Sequence, residues 1–427
     1  MPNNARLNCA VDTHSSLNKD LLLILCRYSI AGLILFSIAL PTGSIVGVPI
    51  KHVLYLASLF SLGFLWLRGE SLSPHLLFLL VATAAFVLLF SLIGFFKGVT
   101  SPVLVIKEAA GVFTAISIVL IVELARKSQW INASFILGAA FWGCFIFALM
   151  KSLVALLLAL KLFSFPQVHA FFLGTFNYSV VSSMMFGGLA RISFIINDFV
   201  VVVMLFIVVA YPRSISGVPK IAKYFFLLIG LACLLFAYSR LLFAIFFVLF
   251  CFVWLFRWKW KARVVSALIV LFSALYFSQW IEGAFEQRFL ANQNDVSDSI
   301  RIDGINGLLT EWAEVPIFGG GFGYYAKGYV RDSILTYSYE VQWIGFLAKL
   351  GLVGIIYLLS LVALLFIKVM EGPRNIGHYA FLFTLSCFIL GGFTNQYLTA
   401  SASGVLYCIH LAIAEYLRLR SLKCESG

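Results

Sequence analysis

Long apolar stretches separated by short polar ones dominate this chain, and windows of roughly 20 apolar residues, the length that crosses a bilayer as a helix, recur along it. They place spans at 20–40, 52–68, 75–95, 102–123, 134–162, 197–212, 221–239, 241–257, 263–280, 341–368, 377–395 and 398–417. The expected fold class is all-α: a polytopic membrane protein of about 12 transmembrane helices, with residues 1–427 forming a single transmembrane domain. Only two outer connections are long, 163–196 and 281–340. Within the second, "DSIRIDGINGLLTEWAEVP" reads as an amphipathic helix, capped by Asp298 or Ser299 and ended by Pro316. Ile305, Leu308, Leu309 and Trp312 form its apolar stripe, expected to lie on the membrane bundle. Arg301 is expected in its first turn, clear of that stripe.

Charge adds direction to this pattern. With the N-terminus inside, one set of connections collects Lys19, Arg68, Arg126, Arg213, Arg257, Arg374 and Arg418, and basic residues beside a span are retained on the cytoplasmic side. Both termini are then cytoplasmic, and the two long connections face outward, the larger one lying between helices 9 and 10. The first span is longer than a removable signal and lacks a small-residue cleavage site, so it is expected to act as an anchor. The net charge of +12 follows from these inner helix ends, so anionic membrane lipid is the expected partner and nucleic acid is not. All eight cysteines lie in spans or inner tails, so no disulfide framework is implied.

Composition changes sharply only in 281–340, which holds nine acidic residues against Arg288, Arg301, Lys327 and Arg331. Such a loop binds phosphate through individually placed arginines, not through its overall field. At its end stands Glu340, at the head of the tenth span, where free amides and the helix dipole favour a negative charge. That position alone is compatible with plain helix stabilisation. Its neighbours Tyr337, Tyr339 and Trp343 suit an interfacial belt and equally suit the faces of sugar rings. Arg191 precedes a span, and Arg240 lies in a short outer turn. Lys107, Lys151 and Lys349 fall inside spans, where a charge faces a cavity or a partner. His169 is an alternative base.

Gly319, Gly320, Gly321 and Gly323 allow a tight or positive-φ path. Gly321, Gly323 and Ala326 fit G-x-G-x-x-A, but no strand precedes them and no βαβ unit surrounds them, so a turn is expected and not a dinucleotide site. There is no P-loop and no H-E-x-x-H, and neither a metal nor a cofactor is expected.

These residues resemble the O-antigen ligase and O-antigen polymerase superfamily of bacterial inner-membrane glycosyltransferases. The likeness rests on Arg301, Pro316, the turn Gly319 to Gly323, and Glu340-Val341 followed after nine residues by Gly351 and Gly354. Arg191 before "NDF" and the pair Ser239-Arg240 also look like family positions. Where ligases carry His-Asn, this chain has Glu340-Val341, a departure that points toward a polymerase. The resemblance implies an active site at the periplasmic face and undecaprenyl-diphosphate-linked oligosaccharides as substrates. A chain-length regulator protein is a candidate partner. It also implies metal-independent, inverting transfer, with Glu340 as catalytic base, Arg191, Arg301, Arg240 and Tyr339 on diphosphate or glycan, and Gly319, Gly321 and Gly323 shaping the loop. The alternatives are a ligase that moves the glycan to lipid A-core or another acceptor and, from another class, a transporter or flippase. Against the last, the chain shows no internal repeat.

Overall fold

The computed structural model describes residues 4–40, 48–98, 101–176, 191–237, 239–256, 258–261, 263–268, 293–330, 336–373, 375–396 and 398–425. In chain order the helices are α1 (Asn4–Ala39), α2 (Ile50–Leu67), α3 (Pro74–Lys97), α4 (Pro102–Lys127), α5 (Ala133–Ala159), α6 (Phe165–Phe176), α7 (Ile195–Ala210), α8 (Lys220–Ala237), α9 (Arg240–Phe256), α10 (Gln293–Glu314), α11 (Gln342–Met370), α12 (Ile376–Gly391) and α13 (Ser401–Glu425). Among the described residues, seven helices are long and apolar enough to cross a membrane, in α1 to α5, α8 and α11. Shorter apolar helices form α7, α9 and most of α12. Every expected span but the ninth meets a helix; most of 263–280 lies outside the described residues.

The bundle is layered around two central helices. α7 is buried on all sides from Asn197 to Val208, as a helix that is apolar all round must be. α13 packs against α4 and α5. It is less apolar than the others, and its interior His410 is bonded to Thr384 Oγ1 at 2.9 Å and to Leu406 O at 2.8 Å. α4, α11 and α13 run in the same direction. Residues from their beginnings, Lys107, Gln342 and Thr399, line one cavity, whereas residues from their ends, Arg126, Lys368 and Arg418, line another. The basic-residue pattern gives these three spans that same direction.

Helix α10 departs from its sequence reading in three ways. It begins at Gln293, so Asp298 and Ser299 lie inside it and neither is its N-cap, because nothing in "QNDVSD" breaks a helix. Arg301 therefore sits in the third turn. At 100° per residue, 301, 305 and 308 share one face, so Arg301 extends the apolar stripe instead of standing clear of it. On that face Leu308 is fully buried against Ala326, Tyr339, Val341 and Ala348, with Ile305 and Trp312 packed around them. Leu309, at the edge of the stripe, is exposed. The helix stops at Glu314, two residues before Pro316, as the proline requires.

The expected loop 163–196 holds a helix of its own, α6, and its residues 177–190 lie outside the described ones. Gln167 Oε1 accepts from the backbone N–H of Ser164 at 2.8 Å, the reciprocal half of a capping box.

The glycine-rich turn is stitched into a break in α11. Gly351 adopts φ 59° and ψ −166° inside that helix, which interrupts its ladder. The freed carbonyls of Ala348 and Lys349 accept from Gly320 N (3.0 Å) and Gly321 N (2.7 Å), and the freed amides of Leu352 and Val353 donate to Pro316 O (2.9 Å) and Ile317 O (3.1 Å). All four groups are satisfied inside protein, which is what permits a broken helix at membrane depth. The close approach demands glycine: a Cβ on Gly351 would lie 2.3 Å from Ile317 O, and one on Gly321, at φ 84°, would lie 2.1 Å from Gly94 N on α3.

Candidate functional site

Glu340 stands one residue before the N-cap Val341 of α11, so it is not a first-turn residue and the helix dipole does not explain it. Its partner is on α10. Arg301 Nε donates to Glu340 Oε2 at 2.8 Å, and both side chains remain about a quarter exposed, at 25% and 26%. The pair thus joins the start of α11 to the face of α10 that packs on it. An ionised carboxylate held by a guanidinium and still reachable from solvent can accept a proton, and the guanidinium fork can hold phosphate or carboxylate oxygens.

Tyr339 is buried and its hydroxyl is already used: it accepts from Ala326 N at 2.8 Å and donates to Tyr329 O at 3.2 Å. Burial pushes its phenol up to about 12, so it stays neutral. Its contribution is to fix the loop that carries Glu340 and to offer a ring face.

Beneath this loop lies a charge pair that the sequence reading left unpaired. Lys349 Nζ donates to Glu108 Oε1 at 2.5 Å and to Tyr337 O at 2.6 Å, and it lies 5.3 and 5.7 Å from the ring centroids of Tyr337 and Tyr339. The second oxygen of Glu108 accepts from Gly323 N at 2.7 Å. One buried pair therefore ties α4, α11, the glycine turn and the segment before Glu340 together. Glu108, which the sequence reading missed, could have been found by its signal, a carboxylate inside an apolar span.

Above the pair opens a cavity of about 180 Å³. Its walls include Tyr337, Tyr339 and Phe346, with Gln342, Gln396 and Thr399 as polar side chains. Gln342 is fixed at both ends of its amide, donating to Thr399 Oγ1 at 2.9 Å and accepting from Leu398 N at 2.7 Å. Exposed Lys107 also lines the cavity.

The structure brings Glu340, Arg301, Tyr339 and the glycines at 319, 321 and 323 together around α11. Arg191 is held at the end of α8, where its Nε donates to Ala237 O at 3.3 Å. Arg240 opens α9 three residues later. Burial lowers the Arg191 pKa from its ordinary value, and the Asp198 carboxylate partly offsets this. Asp198 pairs in turn with Lys151 Nζ at 2.6 Å, both side chains being fully buried. His169 lies on α6 beside Phe165, with Nδ1 unbonded. Among the described residues, no three His, Cys, Asp or Glu side chains gather to hold a metal.

Comparison with curated proteins finds no match. The family described as O-antigen ligase matches residues 224–359, a stretch that holds α10, the glycine turn, Glu340 and the break at Gly351, and over this stretch the chain is similar to that family.

Proposed function

We propose that the chain is a polymerase that joins undecaprenyl-diphosphate-linked oligosaccharide repeat units at the periplasmic face of the inner membrane, with Glu340 as base. The observation that carries this reading is the Glu340–Arg301 pair, about a quarter exposed, at the head of a transmembrane helix and near a cavity walled by aromatic rings and amides. The acceptor hydroxyl gives its proton to Glu340 as its oxygen bonds to the anomeric carbon of the donor. The bond from that carbon to the diphosphate oxygen breaks, and the electron pair leaves with the diphosphate. Attack opposite the leaving group inverts the centre. Diphosphate is a good leaving group, so the protein must chiefly stabilise charge growing on it, a role for Arg301 and for Arg191 and Arg240 near the α8–α9 junction.

A ligase of the same superfamily is the second reading, favoured by the description of the matching family. Surface glycans from a deletion strain complemented with wild type, Glu340→Gln, Glu340→His or Arg301→Ala separate the two on a gel. Single repeat units in the deletion, the Gln and the Ala strains are expected. Full-length chains left on the lipid carrier would instead make it a ligase, and an unchanged profile would return it to the transporter class. Full polymer from Glu340→Gln at equal protein level would remove Glu340 from the base role.

A further inference from the structure

We propose that the cavity beside the Glu340 loop is the subsite for one sugar ring of the acceptor glycan, an inference that rests on the reading of Glu340 given above. Position comes first. Tyr339 and Gln342, which line the cavity, flank Glu340 and Val341 in the chain, so a ring seated there lies against the segment that carries the carboxylate, whose own side chain is turned to Arg301. Size follows. At about 180 Å³ the cavity is below the roughly 300–1,000 Å³ of pockets that enclose drug-sized ligands, and it suits a single ring.

The lining chemistry selects the ligand class. Tyr337, Tyr339 and Phe346 supply apolar faces for the C–H side of a pyranose, and the amides of Gln342 and Gln396 with the Thr399 hydroxyl supply donors and acceptors for its hydroxyls. The two buried charges cancel: Lys349 is held by Glu108, by Tyr337 O and by two rings, and Glu108 is also held by Gly323 N. The floor therefore offers no uncompensated charge, and the charged lining residue outside this pair is the exposed Lys107. One wall is bare backbone. A Cβ added at Gly345 meets nothing nearer than Tyr339 Cβ at 4.0 Å, so the cavity can be filled from this helical position without displacing a neighbour.

The test uses full-length protein in lipid nanodiscs, with the oligosaccharide released by mild acid from the lipid-linked glycans of a deletion strain as the probe and saturation-transfer NMR as the readout. In the series Gly345→Ala, Gly345→Val and Gly345→Leu, binding is expected to fall with side-chain volume, reaching on the order of tenfold or more at Leu. Melting temperature is expected to rise at Ala, a better helix former than glycine, so lost binding and lost folding run in opposite directions there. Gln396→Ala, an exposed rim position, is expected to weaken binding several-fold and stands as the check should Leu fail to fold. Wild-type affinity in the Leu and Gln396→Ala proteins, or no binding to the wild type, would overturn the subsite. Because binding and transfer are read separately, loss of Glu340 as the base would leave this result intact, and the reverse also holds.

Discussion

Two carboxylate–cation pairs in this molecule use the same chemistry in opposite surroundings. Asp198 has both carboxylate oxygens engaged, one by Lys151 Nζ and Cys233 Sγ and the other by Phe194 N, with the ion pair fully buried. Glu340 accepts from Arg301 at a site that keeps a quarter of its side-chain surface. The difference teaches that residue type does not separate a structural carboxylate from a chemical one; access does. The same logic sorts the lysines, because Lys151 and Lys349 are both consumed by buried partners.

The largest effect that would break or sharpen the comparison comes from setting Asp198→Asn beside Glu340→Gln. Removing one member of a sealed pair strands the other, at a cost of about 3–5 kcal/mol. Lys151→Met with Asp198→Leu should recover most of that loss in a detergent melt; no recovery would mean that the pair has a role beyond mutual neutralisation. Glu340→Gln should move stability by at most about 1 kcal/mol, since the pair is exposed to solvent. Yet it should lower polymer synthesis on the order of 10²–10⁴-fold.

Next, Glu108→Leu alone should destabilise by about 3 kcal/mol and loosen the Glu340 loop, which limited proteolysis would detect, whereas Glu108→Leu with Lys349→Met should be milder. Gly351→Ala should cost at least about 1–2 kcal/mol from its left-handed backbone alone, before the overlap with Ile317 O is counted. A smaller effect is expected of Arg301→Lys, which keeps the charge and loses the planar fork. Polymer synthesis should fall less than in Arg301→Ala, and equal loss in the two would show that fork geometry, not charge, is what Arg301 provides.

The all-helical membrane class, the shared direction of α4, α11 and α13, and the positive-φ turn at Gly319, Gly321 and Gly323 were legible in the sequence, because apolar length, basic flanks and glycine act locally; the break at Gly351 was not. The sequence reading placed Arg301 in the first turn because it started α10 too late, and it set the residue off the apolar stripe although the helical period alone decides that. Its face is fixed by 100° per residue, which puts Arg301 with Ile305 and Leu308. Glu108 was passed over and Lys349 left without a partner, since the two are 241 residues apart and nothing in local pattern couples them.

By itself, then, the sequence determined an all-helical membrane chain with a tight glycine turn at 319–323 and a carboxylate at the head of the span that follows, because bilayer thickness and backbone sterics constrain each segment independently of its neighbours. Only the tertiary structure decided which charges neutralise one another and which remain accessible. It pairs Lys349 with Glu108 and Lys151 with Asp198 in the interior and leaves Arg301 and Glu340 at a solvent-reached edge. Pairing in a medium of low dielectric depends on distances of a few ångströms between helices, and those distances are set by packing across the whole bundle.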